Sequence, residues 1–593
     1  MTDTSLTAYT AITFAPVQGF IEKSRKLRDL YGSSYILSYL SHAICVAADQ
    51  STELTLISPA LIDVTQGTPN QILIAGHFAN EQVKAIFDQA WLELVQSCRI
   101  WIEAQLPAFD YCWRRDWSLW TNHAWEFFWA TGETIQAARE NLNEVKHARG
   151  WTGINWSGES STLSGADAVA FPGMSRKVNP KQRSRSQEDD EIREFYQQLS
   201  QLPDLGEATI TEREQLSIPE LVKRLVTIED IYTSLPFRIE FPSSFKSESQ
   251  GEGDDLDETA QPGEKRWKGW FCGDGDRAGD YLKGLSGVAD EDEKIQVFSR
   301  TMREWGETLQ RTLLNGRIIY AGGDDFLGVF RRTRSELKAQ ECLRWFYRFK
   351  SSVWNRSTDQ QPKPITASVG FVWAAPNVPQ REVLQQCRDA EKAAKRQGRD
   401  RLALRILFNG GNFLEWICPW HVLPVLQDYC DRTPHNGKDT WAHIYNDVAV
   451  LEARHAFQGN DAKGKPVNDC LDVALALFNV YFGPQHSPSN ASSWTATDKD
   501  EFYYLMTVDL QNSSDTGYWE TFFERDGLWN REEGVDPSEP TKTRLKGGIL
   551  GDRAAYTQDG QPNGALDIAK AKQAFTDWII NLAKVGFHLC SDT

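Results

Sequence analysis

The sequence predicts a multidomain α+β fold in which two ferredoxin-like units are combined with two helical domains. The order β-α-β-β-α of apolar patterns occurs twice, once near the N-terminus and once after residue 263. The segments between and after these units have helical periodicity, and 593 residues are enough for about four units. We therefore divide the chain into 1–149, 150–262, 263–409 and 410–593.

The first α/β unit follows from a strand, a long helix, a hairpin and a second helix. The Gly-Thr-Pro-Asn segment at 67–70 is typical of the hairpin turn, and Gly32 is a potential break in the first helix. The predicted elements are a strand at 11–14, a helix at about 17–47, strands at 53–58 and 71–75, and a helix at 80–104.

The second α/β unit repeats this order, so the two units are predicted to be diverged copies of one design. Phe298, Met302, Trp305 and Leu309 recur at helical spacing in its first long helix. The predicted elements are a strand ending at 270–272, a helix at 291–314, strands at 317–321 and 326–330, a helix at 336–354, a strand at 365–373 and a helix at 380–397.

The two remaining domains are predicted to be helical. Domain 150–262 is a linker domain in which two charged, Ser- and Gly-rich stretches are expected to form mobile loops. Domain 410–593 is expected to be an α-helical bundle. The predicted loops are 175–186 and 247–258, and the predicted helices are 191–202, 218–235, 441–451, 467–482 and 566–582.

Composition excludes several classes of protein. There are 64 Lys and Arg residues against 82 Asp and Glu, a formal charge of −18, which argues against a free-standing nucleic-acid binder. No apolar run approaches the ~20 residues needed to span a bilayer, and we find no secretory signal. The ten cysteines form no C-x-x-C pair, so reduced thiols and a cytoplasmic location are expected.

The segment Gly322–Asp325 (Gly-Gly-Asp-Asp) is the sharpest local motif. Its glycines suit a hairpin tip, and Asp324 and Asp325 follow directly. Two like charges ~4 Å apart repel by about 4 kcal/mol at an effective dielectric constant of ~20, and a divalent cation would relieve that repulsion. The alternative is a solvated Gly-Gly-Asp turn without chemistry.

A second acidic motif, Asp274-Gly275-Asp276, follows the first strand of the same unit. In a ferredoxin-like sheet that strand neighbours the central hairpin, so Asp274, Asp324 and Asp325 are predicted to converge on a pair of metal ions. Two such ions can clamp a triphosphate and activate an attacking hydroxyl.

The second motif also has two other interpretations. A dinucleotide-binding loop fits the spacing of Gly273, Gly275 and Ala278, but aspartates inside the loop would oppose a pyrophosphate without a metal. An EF-hand fails because position 12 of the loop is Leu285.

Basic residues at the end of the helix 380–397 provide a third element. Lys395, Arg396 and Arg399 lie where cations are favoured by the helix dipole alone. The functional alternative is that Lys395 reaches back to the triphosphate.

Together these residues resemble the polymerase-cyclase large subunit of type III, Cmr-type (III-B-like) CRISPR effector complexes. The resemblance rests on Gly322–Asp325, on Asp274–Asp276, on the strand and helix over 368–399, and on the segment 15–40. It implies two palm (nucleotidyl cyclase-like) domains, and synthesis of cyclic oligoadenylate from ATP when a guide RNA pairs with target RNA.

The resemblance also assigns roles to residues. Catalytic Asp274, Asp324 and Asp325 would ligate Mg²⁺ or Mn²⁺ in a two-metal site, with Gly275 offering its carbonyl and Asp276 as a weaker ligand. Gly322, Gly323 and Lys395 would contact the nucleotide, and Ser34 of the first palm would approach the acceptor ATP. The implied partners are other Cmr-type effector subunits, including small helical subunits, and guide (crRNA) and target RNA held through the complex, with no membrane.

The chain departs from this family's pattern in three respects. The first palm is expected to begin near residue 11, and the dipeptide His-Asp does not occur, so no HD-type nuclease activity is expected. The family's cysteine zinc site is not recognisable. The first hairpin turn, 63–70, has no paired aspartates, so that palm is expected to be non-catalytic.

Two other functions remain open at this stage. One is a catalytically silent scaffold subunit of the same complex, and the other is a free-standing GGDEF-like nucleotide cyclase. The basic segments 23–28, 176–185 and 331–350 are candidate RNA contacts. The last is favoured because Trp345, Phe346 and Tyr347 are interleaved with its charges.

Overall fold

The computed structural model of the chain confirms the α+β fold class. All structural statements concern the residues that it describes, which are 8–60, 67–148, 156, 158–177, 185–203, 205, 209–236, 266–332, 336–355, 363–432, 439–460, 466–467, 470–482, 494–509, 516–533 and 544–591. The predicted loop 247–258 lies outside these residues.

The first sheet has four antiparallel strands in the order β2-β3-β1-β4, which is the strand order of a ferredoxin-like unit. The fourth strand was not among the predicted elements. The elements of this part are β1 (Tyr9–Ala15), α1 (Gln18–Glu22), α2 (Leu27–Asp49), β2 (Thr55–Ser58), β3 (Ile72–Ala75), α3 (Asn80–Gln105), α4 (Arg114–His123), β4 (Glu126–Gly132) and α5 (Ile135–His147).

Helix α2 runs through Gly32 without interruption, so the potential break there does not occur. The single helix predicted over about 17–47 is instead divided between Glu22 and Leu27. A Cβ atom at Gly32 would collide with the backbone carbonyl of Lys223 on a neighbouring helix. The glycine therefore permits two helices to approach each other closely, and its effect is on packing rather than on helix continuity.

The linker segment is helical, as predicted, with α6 (Arg185–Ser200), α7 (Ile218–Leu225) and α8 (Glu229–Ser234). Helix α7 begins with the Ser-x-x-Glu pattern of a capping box, in which the Glu220 carboxylate accepts the backbone N–H of Ser217 at 2.8 Å. Every residue of α7 is buried, so this short helix is enclosed by its neighbours.

The second sheet has six strands in the order β10-β9-β8-β5-β7-β6. Its part β8-β5-β7-β6 repeats the strand order of the first sheet. Strands β8 and β9 are parallel and the other pairs are antiparallel. The strands are β5 (Lys268–Gly275), β6 (Gly316–Gly322), β7 (Asp325–Phe330), β8 (Ala367–Ala374), β9 (Arg401–Leu407) and β10 (Phe413–Pro419).

Strand β10 extends this sheet beyond residue 409, where the helical domain was expected to begin. The helices that accompany the sheet are α9 (Ala278–Gly284), α10 (Glu291–Thr312), α11 (Ala339–Phe346) and α12 (Gln380–Arg396). A π-helix at Phe349–Trp354 replaces the end of the single helix that was predicted over 336–354.

The C-terminal part is mainly helical, as expected. Short strand pairs interrupt it at two places. Its elements are a 3₁₀ helix (Leu423–Gln427), α13 (Ala442–Ala453), β11 (Gly459–Asn460), β12 (Pro466–Val467), α14 (Leu471–Tyr481), α15 (Ala496–Leu505), α16 (Thr516–Phe522), β13 (Arg531–Glu533), β14 (Arg544–Lys546), a 3₁₀ helix (Arg553–Tyr556) and α17 (Ile568–Cys590).

Two large hydrophobic cores account for most of the buried apolar residues. One extends from Ile12 to Leu235 and joins the first sheet to the linker helices. The other extends from Phe271 to Leu589 and joins the second sheet to the C-terminal helices. Within the described ranges, no helix combines the length and apolar character that crossing a membrane requires.

A buried charge network fastens α2 to the linker segment. The guanidinium of Arg224 donates to Asp29 at 2.7 Å and to Glu214 at 2.8 Å. Burial alone would raise the pKa of both carboxyl groups, but Arg224 outweighs it and holds the pKa of Glu214 at about 2. Asp29 also accepts the backbone N–H of Lys26 at 2.8 Å and so begins helix α2.

Arg224→Ala is expected to destabilise the chain strongly, because it leaves two buried carboxylates without their cation. We expect the free energy of unfolding to fall by about 3–5 kcal/mol, measured by denaturant unfolding followed by tryptophan fluorescence.

The matched control is Arg193→Ala, whose pair with Asp190 is exposed, with 69% and 70% of the two side chains accessible. That change should cost at most about 1 kcal/mol. Equal effects of the two changes would contradict a structural role for the buried network.

Candidate active site

The Gly-Gly-Asp-Asp motif forms the turn between β6 and β7. Gly322 pairs with Asp325 across the strands, so Gly323 and Asp324 are the two turn residues. Gly323 has φ +82°, in the left-handed region at the first turn position, which favours glycine. A side chain on Gly322 would collide with the Tyr320 ring. The backbone conformation at Gly323 and the close approach of Tyr320 to Gly322 therefore explain why glycine occupies both positions of this turn.

Strand β5 brings the second acidic motif beside this turn. Gly273 pairs with Phe326 in register, which places Asp274 next to the Asp-Asp pair. The N–H of Gly275 donates to the carbonyl of Asp324 at 3.1 Å. A Cβ atom at Gly275 would lie 2.8 Å from that of Asp324, so glycine is needed for this approach. The predicted neighbourhood of Asp274, Asp324 and Asp325 is present.

The carboxyl groups of this cluster oppose one another's ionisation. Burial, and then the charge of Asp274, raise the pKa of Asp324 to about 7. Burial, and then the charges of Asp274 and Asp324, raise the pKa of Asp325 to about 8. The Asp325 side chain nevertheless reaches solvent, so its surroundings are dense in protein without being closed.

Helix α12 provides the cation of the cluster. The ammonium of Lys395 forms an ion pair with Asp274 and lies 2.7 Å from Glu391, one helical turn earlier. Burial would lower the pKa of Lys395, but Asp274 outweighs it and the pKa is raised. The predicted position of Lys395 at the acidic cluster is thus observed. Glu391 was not predicted, although its i,i+4 spacing from Lys395 is a signal that could have identified it.

Asp276 lies in a different environment from the other aspartates. It is 3% exposed, and both carboxylate oxygens accept hydrogen bonds, from Ser368 at 2.7 Å and from Thr366 at 2.8 Å. The backbone N–H of Asp400 donates to it at 2.9 Å. These bonds do not fit the expectation that Asp276 is a metal ligand, because its oxygens are already engaged inside the protein.

The first α/β unit touches the acidic turn through residues 67–70. Arg303 on α10 donates to the carbonyl of Gly67, and Pro69 packs beside Gly323. The N–H of Thr68 donates to the hydroxyl of Ser38 on α2 at 2.8 Å. Turn 67–70 is thereby held between the two units.

Ser34 lies on the helix that supports this turn. It is buried, one helical turn before Ser38. No described contact brings its hydroxyl to the carboxylates, so its assignment to an acceptor nucleotide stays a prediction.

The donors at this site suit a hard divalent cation. Carboxylate and carbonyl oxygens are the ligands that Mg²⁺ prefers, and the raised pKa values of Asp324 and Asp325 show repulsion that a cation would relieve. Among the described residues, however, no group of three or more His, Cys, Asp or Glu side chains is arranged so that it could hold a metal ion. Lys395 holds Asp274 instead.

The basic segment 23–28 is largely internal. Lys23 pairs with Asp167 at 3.1 Å and Lys26 with Glu214 at 3.2 Å. Arg28 is buried and donates to Thr227 at 3.0 Å. These cations therefore join α2 to the linker segment, which reduces what they can offer to RNA.

The segment 331–350 also differs from expectation. Trp345 and Phe346 are buried in the core of the second half, so neither ring is available for stacking on RNA bases. Arg344 and Arg348 are exposed. Of 176–185, residues 178–184 lie outside the described residues, whereas Arg176 pairs with Glu191 and Arg185 with Glu159.

Comparisons with known families match both α/β units. The family described as Cas10/Cmr2, second palm domain, matches residues 269–403, and the family described as CRISPR-associated protein Cmr2, N-terminal, matches residues 9–99. The first range contains every predicted site residue except Ser34, which lies in the second. No curated protein matches the chain in sequence.

Solved structures show the corresponding fold. The chain is similar to one in the apo state of type III-B Cmr-beta, with TM-score 0.50 and 12% identity over 83% of this chain and 78% of the other. For Cmr-beta bound to cognate target RNA the TM-score is 0.41 and the identity 11%, over 91% of this chain and 80% of the other. For a Csm1-Csm4 cassette in complex with cA4 the TM-score is 0.39 and the identity 13%, over 98% of this chain and 70% of the other. At these identities the first likeness shows the fold alone.

Replacing the two turn aspartates should relieve the repulsion in a pH-dependent way. Between the usual carboxyl pKa near 4 and the raised values, the folded chain binds more protons than the unfolded chain, so this cluster costs stability as pH rises. Asp324→Asn combined with Asp325→Asn should therefore stabilise the chain at pH 8 more than at pH 5, measured as the shift in the unfolding midpoint.

Asp280→Asn is the control, since Asp280 is exposed on α9 near the site. Its shift should be small and equal at both pH values. A double variant whose shift does not grow between pH 5 and pH 8 would show that the carboxylates do not repel one another as described.

Proposed function

We propose that this chain, in which the Cmr2 N-terminal and the Cas10/Cmr2 second palm domain families match residues 9–99 and 269–403, is the large subunit of a type III CRISPR effector complex in the cytoplasm. In this proposal the complex makes cyclic oligoadenylate from ATP after its guide RNA pairs with target RNA. The observation that carries the proposal is the position of Asp274 beside the Asp324-Asp325 turn, across β5 and β7 at one edge of the second sheet.

The proposed reaction is nucleotidyl transfer. The 3′-oxygen of one ATP forms a bond to the α-phosphorus of another, the bond to the β-phosphate oxygen breaks, pyrophosphate leaves, and the hydroxyl proton passes to solvent. The same step within one chain closes the ring. Positioning and charge supply most of the catalysis of such transfers. A cluster of fixed charged residues could therefore catalyse this reaction without a protein nucleophile.

The residues divide this work. Asp274, Asp324 and Asp325 would hold Mg²⁺ or Mn²⁺, with the Gly275 carbonyl as a further donor, and the ions would neutralise the triphosphate and activate the hydroxyl. Lys395, now paired with Asp274, would turn its charge toward the phosphates. Gly322 and Gly323 add no side chains beside the aspartates, so that a nucleotide can approach the backbone there.

Electrostatics favours the enzyme over a silent scaffold. Asp274, Asp324 and Asp325 lie close together without a packing benefit to offset their repulsion, and burial with neighbouring charge raises the pKa of Asp324 and of Asp325. Such perturbed clusters are typical of functional sites. The contact of turn 67–70 with the acidic turn favours a site that needs both α/β units. The other effector subunits and the two RNAs are the proposed partners.

Asp324→Ala combined with Asp325→Ala should abolish product formation. The complex assembled with guide RNA is incubated with target RNA, Mg²⁺ or Mn²⁺ and labelled ATP, and cyclic products are separated by chromatography. We expect a loss of about 100-fold or more, because the cation ligands are removed, while assembly and RNA binding stay intact.

Asp280→Ala serves as the matched control and should leave the rate unchanged. Absence of product from the wild-type complex would favour the scaffold. Product formed without target RNA would favour a free-standing cyclase, and product surviving the double change would exclude this site.

A further inference from the structure

Behind the acidic cluster lies a second pair of carboxylates, Asp276 and Asp400, which no proposed chemical step uses. Both are buried, at 3% and 0% exposure. Asp276 accepts the backbone N–H of Asp400 at 2.9 Å. Asp400 in turn accepts Lys350 at 2.6 Å and the backbone N–H of Gly547 at 3.0 Å. The two carboxylates thus connect strand β5 to the C-terminal part.

The turn between α12 and β9 has an unusual backbone. Arg399 and Asp400 have φ +66° and +52°, two successive non-glycine residues in the left-handed region. Such conformations persist only where surrounding contacts hold them. The bond from the Asp400 N–H to Asp276 is one such contact, so the turn depends on the buried carboxylate.

The C-terminal part encloses the same turn from its other side. Asn530 donates to the carbonyl of Gly398 at 2.7 Å and accepts from Arg401 at 3.1 Å. Arg401 is buried and also donates to the carbonyl of Gly548 at 3.0 Å. A Cβ atom at Gly551 would collide with the carbonyl of Gln397. Turn 397–401 is therefore clamped by segments 530 and 547–551.

Both ends of this arrangement lead to the acidic cluster. Lys395 is two residues before the turn, and Asp274 is two residues before Asp276. Ser368, whose hydroxyl donates to Asp276, pairs in register with Asp274 across β5 and β8. A displacement of the turn would therefore move both members of the Lys395–Asp274 ion pair.

We propose that Asp276 and Asp400 are positioning residues, and that through turn 397–401 the C-terminal part sets the placement of Lys395 and Asp274. This inference rests on the proposed function for its effect on rate, because those two residues are its nucleotide-site members. The clamp itself is a property of the fold and can be tested without turnover. If the inference is correct, contacts of Asn530, which is not one of the proposed reacting or ligating groups, contribute to the rate of the reaction.

The decisive variant is Asn530→Ala, because Asn530 lies in the C-terminal part and belongs to no proposed ligand set. In the assembled, RNA-activated complex we expect kcat to fall about 10- to 100-fold, as a small displacement of catalytic groups can do. The KM for ATP should change by less than about twofold, since ligands for the nucleotide remain. Asn412→Ala, at an exposed position in the β9–β10 turn, should leave both constants unchanged.

A double-mutant cycle tests whether the two sides of the turn act together. Asp276→Asn keeps the size of the side chain but places an amide against three hydrogen-bond donors. If Asn530 and Asp276 act through one turn, the combined variant will be less impaired than the product of the two single effects. Strictly multiplicative effects would overturn the shared mechanism. Asp280→Asn is the control for the aspartate change.

Hydrogen exchange separates this inference from the proposed function. In Asn530→Ala we expect faster exchange in peptides covering 397–401 and 544–551, extending into the last turn of α12 around Lys395. An absence of product from the wild type would refute the proposed function and leave this readout intact. Exchange unchanged around Lys395, or a normal kcat despite a loosened turn, would overturn the positioning role.

Discussion

Carboxylates at the edge of the second sheet repel one another, and the surrounding structure has to offset that repulsion to hold them together. Asp274, Asp324 and Asp325 are brought together by the neighbouring positions of β5 and β7 and by a turn whose glycine has positive φ. Hydrogen-bonded strands fix these positions, so the carboxylates cannot separate. One ammonium, that of Lys395, provides the opposing charge.

The surroundings of this edge are correspondingly rigid. Turn 67–70 of the first unit packs against Tyr320 and Gly323, and Arg303 fastens it to α10. Further inside, the hydroxyls of Thr366 and Ser368 and the backbone N–H of Asp400 donate hydrogen bonds to the Asp276 carboxylate. Asp274 and Asp276, only two positions apart, therefore differ in environment. Asp274 is partly exposed and pairs with Lys395, whereas Asp276 is buried and holds the backbone of turn 397–401.

Much of this arrangement could be predicted from sequence. Strong apolar periodicity identified α3, α10 and α12, and the repeated order of elements identified two ferredoxin-like sheets, which the strand orders confirm. The neighbourhood of Asp274 and the Asp-Asp pair followed from the adjacency of the first strand and the central hairpin. The family resemblance is confirmed by the two matched domains.

Other features depend on contacts distant in sequence. Asp276 looked equivalent to Asp274 because its burial is decided by Thr366, Ser368 and Asp400, about 90 or more residues away along the chain. Strands β4 and β10 were missed because pairing with a sheet, rather than local periodicity, defines them. In the sequence, the aromatic residues of 331–350 are equally compatible with an RNA-binding surface and with a hydrophobic core. In the structure Trp345 and Phe346 are buried, so they belong to the core.

The two hydrophobic cores have a consequence for how the molecule unfolds. One core unites the first sheet with the linker helices and the other unites the second sheet with the C-terminal helices, so four sequence segments correspond to two cooperative units. Smaller mixed clusters and polar contacts such as Glu22–Arg388 join them. The acidic cluster lies beside that seam, because turn 67–70 of the first half packs against Gly323, so a shift of one half relative to the other would change the surroundings of its carboxylates.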